Sequence, residues 1–468
     1  MNTLRLTAVA IVSLLLAAPG SIAQDTLPAD LISAIDKAAA DVLETSGAPS
    51  ASIAVVRDGT IAYVHAYGLS VIEPPTPATT EMRYSIGSIS KQFTAAAILL
   101  LAEDRKLSLD DTVGRWLPDL TRARDVTVRQ VLSMTSGYQD FWPQDYVMPG
   151  MMQPATAQRI LDGWAKIPLD FEPGTKWQYS NTNYVVAGRI VEKVSGVPLV
   201  DFLRKRVFTP LAMTSVTDSD EAALGPGDPM RYLRYAVGPL RPAPKEGKGW
   251  MFAAGELAMT ARDLARWDIA TIDRRMLKPA SYAAMQTNVL LKNGLATGYG
   301  LGVQVGVSSG RRVVSHTGEV SGFTAANTIY PDDRAAVVVL TNLDATGASS
   351  QLAGRIGTLL FRATPDNGAA AALAQGKAVF DGLQHGRIDR ALFTSNANAY
   401  FSDAAIADFA SGLGPLGPPQ EFEQASQSLR GGMVARSFRI KCGSKSLRLT
   451  TFTMPDGKLE QYQIAATE

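Results

Sequence analysis

Ser88 stands three residues ahead of Lys91 in the run Tyr84-Ser85-Ile86-Gly87-Ser88-Ile89-Ser90-Lys91. The stretch that follows, Gln92 to Leu100, is rich in alanine and leucine and reads as a buried helix. Positions three apart share a helical face, so a hydroxyl and an amine are set side by side where this helix begins. A serine hydroxyl is a weak nucleophile until a neighbouring base takes its proton, and an amine one turn away is such a base. No other lysine in the chain has a serine three positions before it.

Two further groups carry chemistry. Tyr179-Ser180-Asn181 follows the turn Glu172-Pro173-Gly174-Thr175 and precedes Asn183-Tyr184, where a helix is predicted to open and run to about Val194. His316-Thr317-Gly318 ends a predicted strand and leads into Glu319-Val320-Ser321-Gly322-Phe323. Taken singly, these are an Asn-rich turn and a histidine at a strand end. In order, Ser-x-x-Lys, Tyr-x-Asn and His-Thr-Gly resemble the motifs of the penicillin-recognising serine hydrolases. The branch is the one that holds class C β-lactamases, D-alanyl-D-alanine carboxypeptidases of the His-Thr-Gly type, D-aminopeptidases and β-lactamase-like esterases. Leu132-Ser133-Met134-Thr135-Ser136-Gly137-Tyr138, Ala253-Ala254-Gly255-Glu256-Leu257 and Tyr299-Gly300-Leu301-Gly302 fit the same pattern. The resemblance covers about Leu31 to Phe361.

The resemblance implies that Ser88 forms an acyl-enzyme, that Lys91 is its immediate base, and that Tyr179 passes a proton to the leaving group. Lys and Tyr both titrate near pH 10 when unperturbed, so each must be lowered to act as a base near neutrality. Lys91 and a cationic His316 would favour the ionised phenol; whether Lys91 or Tyr179 is the general base stays open. Asn181 is expected to bond the substrate amide and Lys91. The backbone N–H groups of Ser88 and Glu319 are expected to form the oxyanion hole. Thr317 and His316 are expected to meet the acyl substrate, its carboxylate included, beside Gly318.

Some residues depart from the pattern. His316 replaces the lysine usual in class C β-lactamases, which argues against efficient β-lactam hydrolysis. Glu319 is an acid beside the expected carboxylate pocket, and Glu256 stands where relatives often have glycine. Gly306-Val307-Ser308-Ser309-Gly310 fits the Gly-x-Ser-x-Gly elbow of α/β-hydrolases, but a strand-like run follows where that elbow needs a helix; it reads as a hairpin turn.

The elements that must hold these groups are predicted as follows. Leu31, Ile32, Ile35, Val42 and Leu43 recur at helical spacing. Ser52 to Arg57 and Ile61 to Leu69 flank Asp58-Gly59, a favoured hairpin pair. A helical, loop-rich middle spans about Leu107 to Met285. Strands return at Tyr299 to Val307, Arg312 to His316, Phe323 to Tyr330 and Ala335 to Leu340, before a helix from Gln351 to Phe361. The expected class is α+β. It is a β-lactamase/transpeptidase-like fold, an antiparallel sheet flanked by helices with a helical insertion, plus a small α+β C-terminal domain.

The expected domain order is a signal peptide at 1–23, a hydrolase domain at 24–362, a linker at 363–372 and the small domain at 373–468. In the last, helical patterns to about Gly412 precede β-like runs at Met433 to Lys441, Ser446 to Met454 and Leu459 to Ile464. This order resembles the small cone-shaped fold of nuclear-transport-factor-2-like domains.

Composition sets the outer bounds. Arg5, the apolar run Leu6 to Ala18 and Ser21-Ile22-Ala23 have the pattern of a secretory leader. The chain is therefore expected to be exported, periplasmic or secreted, with no membrane span after cleavage. Basic residues number 45 and acidic residues 44, without the basic stripe that nucleic acid requires. Three histidines and one cysteine, Cys442, make no zinc-ligand pattern and no internal disulfide; neither metal nor cofactor is expected. The expected partner is a small-molecule or peptide substrate, peptidoglycan fragments among the candidates. The leading expectation is a D-alanyl-D-alanine carboxypeptidase-like serine hydrolase. A β-lactamase-like carboxylesterase, a β-lactamase and a binding protein with a vestigial site are the alternatives.

Overall fold

The structure is a computed structural model that describes residues 26–361, 368–430 and 433–467. The expected leader at 1–23 and residues 363–367 of the expected linker lie outside the described residues. The chain divides into two compact units, with the boundary at Phe361 and Arg362.

The first unit is built on a seven-stranded antiparallel sheet. Its strands are β1 (Ser50–Arg57), β2 (Thr60–Val71), β3 (Gln304–Ser308), β4 (Arg311–Val320), β5 (Phe323–Tyr330) and β6 (Ala335–Thr341), with Thr76–Pro77 as a short edge. The order runs Thr76–Pro77, β2, β1, β6, β5, β4, β3, so β1 pairs with β6 and joins the two ends of the unit.

Both faces of the central strands are apolar. Ala51, Ile53, Val55, Val337 and Val339 enter one core, and Ala54, Val56, Val338 and Leu340 enter the other. Successive side chains of a strand point to opposite faces, so a continuous run of small and branched residues marks a sheet covered on both sides. Helix α1 (Ala29–Ser46) and helix α5 (Ala348–Leu360) belong to the first core. Helices α2 (Ser90–Glu103), α3 (Asn181–Ser195) and α4 (Ala261–Ile272) belong to the second.

Helix α2 positions the chemistry. Every residue from Ser90 to Leu101 is buried, as expected of a helix apolar all round, so a lysine in its first turn is taken out of water. Each polar side chain there has a partner. Ser90 Oγ accepts the Leu257 N–H at 3.1 Å, Gln92 Oε1 accepts the Trp267 indole N–H at 2.8 Å, and Thr94 Oγ donates to the Ala253 carbonyl at 2.8 Å. A small sheet of Tyr84–Ser85, Leu257–Met259 and Thr217–Asp218 ties the segment before Ser88 to the Ala253–Glu256 turn.

The structure differs from expectation in places. The strand expected from Tyr299 starts at Gln304, because Gly300 and Gly302 turn against the carbonyls of Met285 and Lys91. The Gly-x-Ser-x-Gly stretch is a hairpin: Ser309 and Gly310 both have positive φ, at 50° and 77°, between β3 and β4. Residues Ala369–Ala372 of the expected linker are the first turn of a helix.

The second unit comprises helices α6 (Ala369–Gln384), α7 (Ser395–Tyr400) and α8 (Asp403–Leu413). They precede a four-stranded antiparallel sheet, β7 (Glu421–Arg430), β8 (Met433–Cys442), β9 (Lys445–Thr453) and β10 (Leu459–Thr467), paired in sequence order. The polar strand β7 was not expected: Glu-Phe-Glu-Gln carries only one large apolar side chain to mark it. Phe380, Leu383, Phe401, Phe438, Leu449 and Tyr462 form this unit's own core, and Cys442 is buried in it.

Candidate active site

Ser88 lies in a single 3-10 turn, Gly87–Ile89, that feeds directly into α2. The turn presses against β4. A Cβ on Gly318 would sit 1.8 Å from the Ile86 carbonyl oxygen, and one on Gly87, where φ is +51°, would sit 2.6 Å from the Glu319 nitrogen. Only glycine allows these two backbones to approach so closely. The approach brings Ser88 beside the β4 backbone at Glu319.

The amine of Lys91 is the centre of the site. Its Nζ lies 2.9 Å from Ser88 Oγ, 2.8 Å from Asn181 Oδ1 and 2.7 Å from the Ala254 carbonyl oxygen. Carbonyl oxygens only accept, so two N–H bonds are committed to Asn181 and Ala254. A neutral amine has two hydrogens, and its lone pair is then left to face the serine hydroxyl. Complete burial lowers the amine to about 7, opposed in part by the charge of Asp140.

Tyr179 completes this face. Its phenol faces Ser88, and Lys91 Nζ lies 5.1 Å from its ring centre. Burial raises its phenol well above the ordinary range, with the Ser88 hydroxyl opposing. This is the reverse of the lowering expected from neighbouring cations, and the reason is that neither neighbour is a strong cation. Lys91 is pushed down, and His316 is pushed down to about 3 by burial and by Lys91.

His316 is accordingly not placed to receive a substrate carboxylate as a cation. Its Nδ1 lies 2.5 Å from the Thr317 carbonyl oxygen and its Nε2 lies 2.9 Å from the Tyr299 hydroxyl. The carbonyl accepts, so Nδ1 carries the hydrogen and Nε2 accepts from Tyr299. Both ring nitrogens are engaged within the protein. Its ring centre is 6.3 Å from that of Tyr179, so it backs the phenol.

The residues open onto one cleft of about 670 Å³. Ser88, Tyr179, Asn181, His316, Thr317, Gly318 and Glu319 all line it, so the structure assembles every expected site residue, with Lys91 just behind Ser88. Trp142, Tyr146 and Trp250 add aromatic surface. Glu319 has its Oε1 held by the Ala345 N–H at 2.7 Å. Asp140, Asp145 and Asp344 also line the cleft, and among the described residues that line it there is no lysine or arginine. Burial raises the Glu319 carboxyl, and the negative neighbours Asp145 and Asp344 raise it further. Glu256 does not reach the cleft; it is buried beside Asp218 and Asp220, which together with burial raise it well above the carboxylate range.

Three members of the site were not singled out as such in the sequence. The Ala254 carbonyl and the Tyr299 hydroxyl lie in segments that matched the family pattern, but a backbone acceptor and a buried phenol have no spacing signature. Asp140 lies two residues beyond Leu132–Tyr138 and carries no motif of its own.

A family model described as Beta-lactamase matches residues 35–359, and the chain belongs to that family. It is a serine hydrolase related to β-lactamases and penicillin-binding proteins. It is 28% identical over 318 residues to a D-aminopeptidase of Brucella anthropi, a match that covers 66% of this chain and 58% of the relative. It is 30% identical over 310 residues to Penicillin-binding protein 4* of Bacillus subtilis, covering 62% of this chain and 67% of the relative. The chain thus spans under two thirds of that D-aminopeptidase's length. The D-amino acid amidase of Ochrobactrum anthropi SV3, solved with D-phenylalanine, superposes with a TM-score of 0.65 at 25% identity, over 71% of this chain and 99% of that one. The octameric penicillin-binding protein homologue of Pyrococcus abyssi has the same fold, with a TM-score of 0.62 at 21% identity over 92% of this chain and 99% of that one. No helix among the described residues is long and apolar enough to cross a membrane.

Proposed function

We propose that this chain hydrolyses amide bonds of small D-configured aminoacyl substrates through an acyl-enzyme on Ser88. The reading of Ser88 as nucleophile rests on the Lys91 amine, whose two N–H bonds are taken by Asn181 and Ala254. Its lone pair takes the proton of Ser88 as Oγ bonds to the scissile carbonyl carbon. The backbone N–H groups of Ser88 and Glu319 receive the developing oxyanion, donors of a kind worth roughly a hundredfold or more in rate. When the C–N bond breaks, the leaving nitrogen takes the Tyr179 hydroxyl proton. That proton is replaced by the one held on Lys91, whose Nζ lies 5.1 Å from the centre of the Tyr179 ring. Water then repeats the sequence on the acyl group and releases the acid.

The observation that carries the substrate class is the charge of the cleft. A carboxypeptidase must hold a terminal carboxylate. The described lining offers no lysine or arginine, a neutral His316 and four acids, Asp140, Asp145, Glu319 and Asp344. Such a wall attracts an ammonium and repels a carboxylate. The relatives named D-aminopeptidase and D-amino acid amidase point the same way. This reading displaces the carboxypeptidase-like expectation. The composition of Met1 to Ala23 supports export, which would place the enzyme outside the cytoplasm.

The test is a substrate panel. D-alanine amide and D-phenylalanine amide are expected to be hydrolysed with release of ammonia, and N-acetyl-D-alanyl-D-alanine is expected to be left intact. Release of terminal D-alanine from the blocked dipeptide, with the free amides untouched, would overturn the proposal in favour of a carboxypeptidase.

A further inference from the structure

We infer that Asp140 is a positioning residue for the amine of Lys91, acting through the side-chain amide of Asn181. The inference builds on the reading of Ser88 and Lys91 above and adds a residue that the motifs do not contain.

Asp140 is placed by the Ser136–Trp142 loop. Ser136 Oγ accepts the Tyr138 N–H at 3.0 Å and donates to Asn183 Oδ1 at 2.5 Å, which fastens the loop to the first turn of α3. Asp140 Oδ1 then accepts the backbone N–H of Asn181 at 2.9 Å and that of Trp142 at 3.2 Å. The residue before Asn181, Ser180, makes no side-chain cap. Asp140 takes over that work from another part of the chain, as an anion at the end of a helix where free N–H groups gather.

Its second oxygen sets the orientation of the Asn181 amide. Asp140 Oδ2 lies 3.4 Å from Asn181 Nδ2, and the Trp142 carbonyl lies 3.5 Å from the same nitrogen. Both are acceptors, so the NH₂ end of the amide faces them and Oδ1 faces Lys91. Were the amide reversed, its NH₂ would meet the Lys91 amine. One N–H of that amine would lose its acceptor, and its lone pair would no longer be reserved for Ser88. Asp140 therefore decides which way a catalytic lone pair points without touching the reacting atoms.

The carboxylate also acts through its charge. The titratable groups that face Lys91 are Asp140, Tyr179, Tyr184 and His316. Burial keeps both phenols and the imidazole neutral around pH 7. Asp140 is then the one charged neighbour among these, and it favours the ammonium against the burial that disfavours it. Removing its charge lowers the Lys91 titration, and releasing the Asn181 amide lowers kcat by misplacing the lone pair.

The experiment compares Asp140→Asn, Asp140→Glu and wild type on D-alanine p-nitroanilide from pH 4 to 10, the acidic limb of kcat/KM being the titration of Lys91. Asp140→Asn is expected to lower kcat by roughly tenfold or more, as misplaced catalytic groups do. It is also expected to move the limb to lower pH by about one unit, the size of a lost opposite charge. Asp140→Glu keeps the charge, so its limb stays with wild type while kcat falls. A limb unmoved in Asp140→Asn overturns the inference, whether or not kcat falls, because a merely structural acid would not move it. If Asp140→Asn does not fold, Asp140→Glu decides: a limb displaced to acid in that variant overturns the inference. Ser88→Ala is the control. Activity retained there fails the whole site reading, and an unmoved limb fails Asp140 alone.

Discussion

Lys91 Nζ and Ser88 Oγ lie 2.9 Å apart, and the other two partners of that amine are carbonyl oxygens. Replacing either member leaves the pair unable to make a nucleophile. Ser88→Ala and Lys91→Met are each expected to lower kcat by about a thousandfold or more. Intact-protein mass after mixing with an activated D-alanyl ester is expected to show an acyl adduct in wild type and none in Ser88→Ala. Tyr179→Phe separates the roles further. Its hydroxyl is assigned to the leaving nitrogen, so the variant is expected to lose more activity on amides than on p-nitrophenyl esters, whose leaving group departs without a proton. Equal losses on both would remove that assignment.

The pH profile follows from the same amine. Lys91 is lowered to about 7, and the base form is the neutral one, so kcat/KM is expected to rise with pH through that region. His316, pushed down to about 3, is neutral across it and contributes no limb. His316→Gln is therefore expected to lower activity while leaving the midpoint near that of wild type. A midpoint shifted by that substitution would mean that the imidazole titrates within the working range.

The sequence made Ser88 with Lys91, Tyr179 with Asn181 and the His-Thr-Gly run legible because each lies within a few consecutive positions. It also showed the apolar runs of β1 and β6, which the structure buries on both faces. It did not show protonation. The expectation of a cationic His316 and a lowered Tyr179 failed because both groups are sealed by residues far away in sequence, such as Tyr299 and Lys91. Asp140 was invisible for a related reason. Its role depends on a meeting with Asn181 across 41 positions, and no spacing rule reaches that far.

Asp268 on α4 predicts how stability responds to pH. It is wholly buried against Asn327 of β5, whose Nδ2 donates to Asp268 Oδ1 at 2.8 Å. Asp268 Oδ2 and Asn327 Oδ1 are both buried without a partner among the described residues. A proton on Oδ2 supplies a donor to a pair that otherwise holds two spare acceptors. Burial raises this carboxyl to about 8. The folded state then binds a proton that the unfolded state releases above about pH 4, so this contribution is complete below pH 4 and is lost as pH climbs to 8. Asp268→Asn has no proton to lose. Its Tm is expected to gain on that of wild type by several degrees between pH 5 and pH 9, measured by thermal denaturation. A constant difference across that range would show that Asp268 does not titrate there.

The acidic wall of the cleft selects by charge. Glu319 is held by the Ala345 N–H at 2.7 Å and Asp344 by the Gly322 N–H at 3.0 Å, so both carboxylates are fixed rather than free to swing away. An ammonium brought to this wall is favoured and a carboxylate is opposed. Benzylpenicillin carries a carboxylate, so wild type is expected to acylate slowly with it. Glu319→Gln and Asp344→Asn keep the shape and remove a charge each. They are expected to raise KM for D-alanine amide several-fold with kcat little changed, since only binding of the charged end is weakened. They are also expected to quicken benzylpenicillin acylation, followed by the mass of the intact protein. Opposite movement of the two substrates is the signature of electrostatic selection. A variant that slows both has lost the shape of the oxyanion region instead, because Glu319 also supplies a backbone N–H there. Asp344 supplies none of that assigned machinery, so Asp344→Asn is the cleaner of the two.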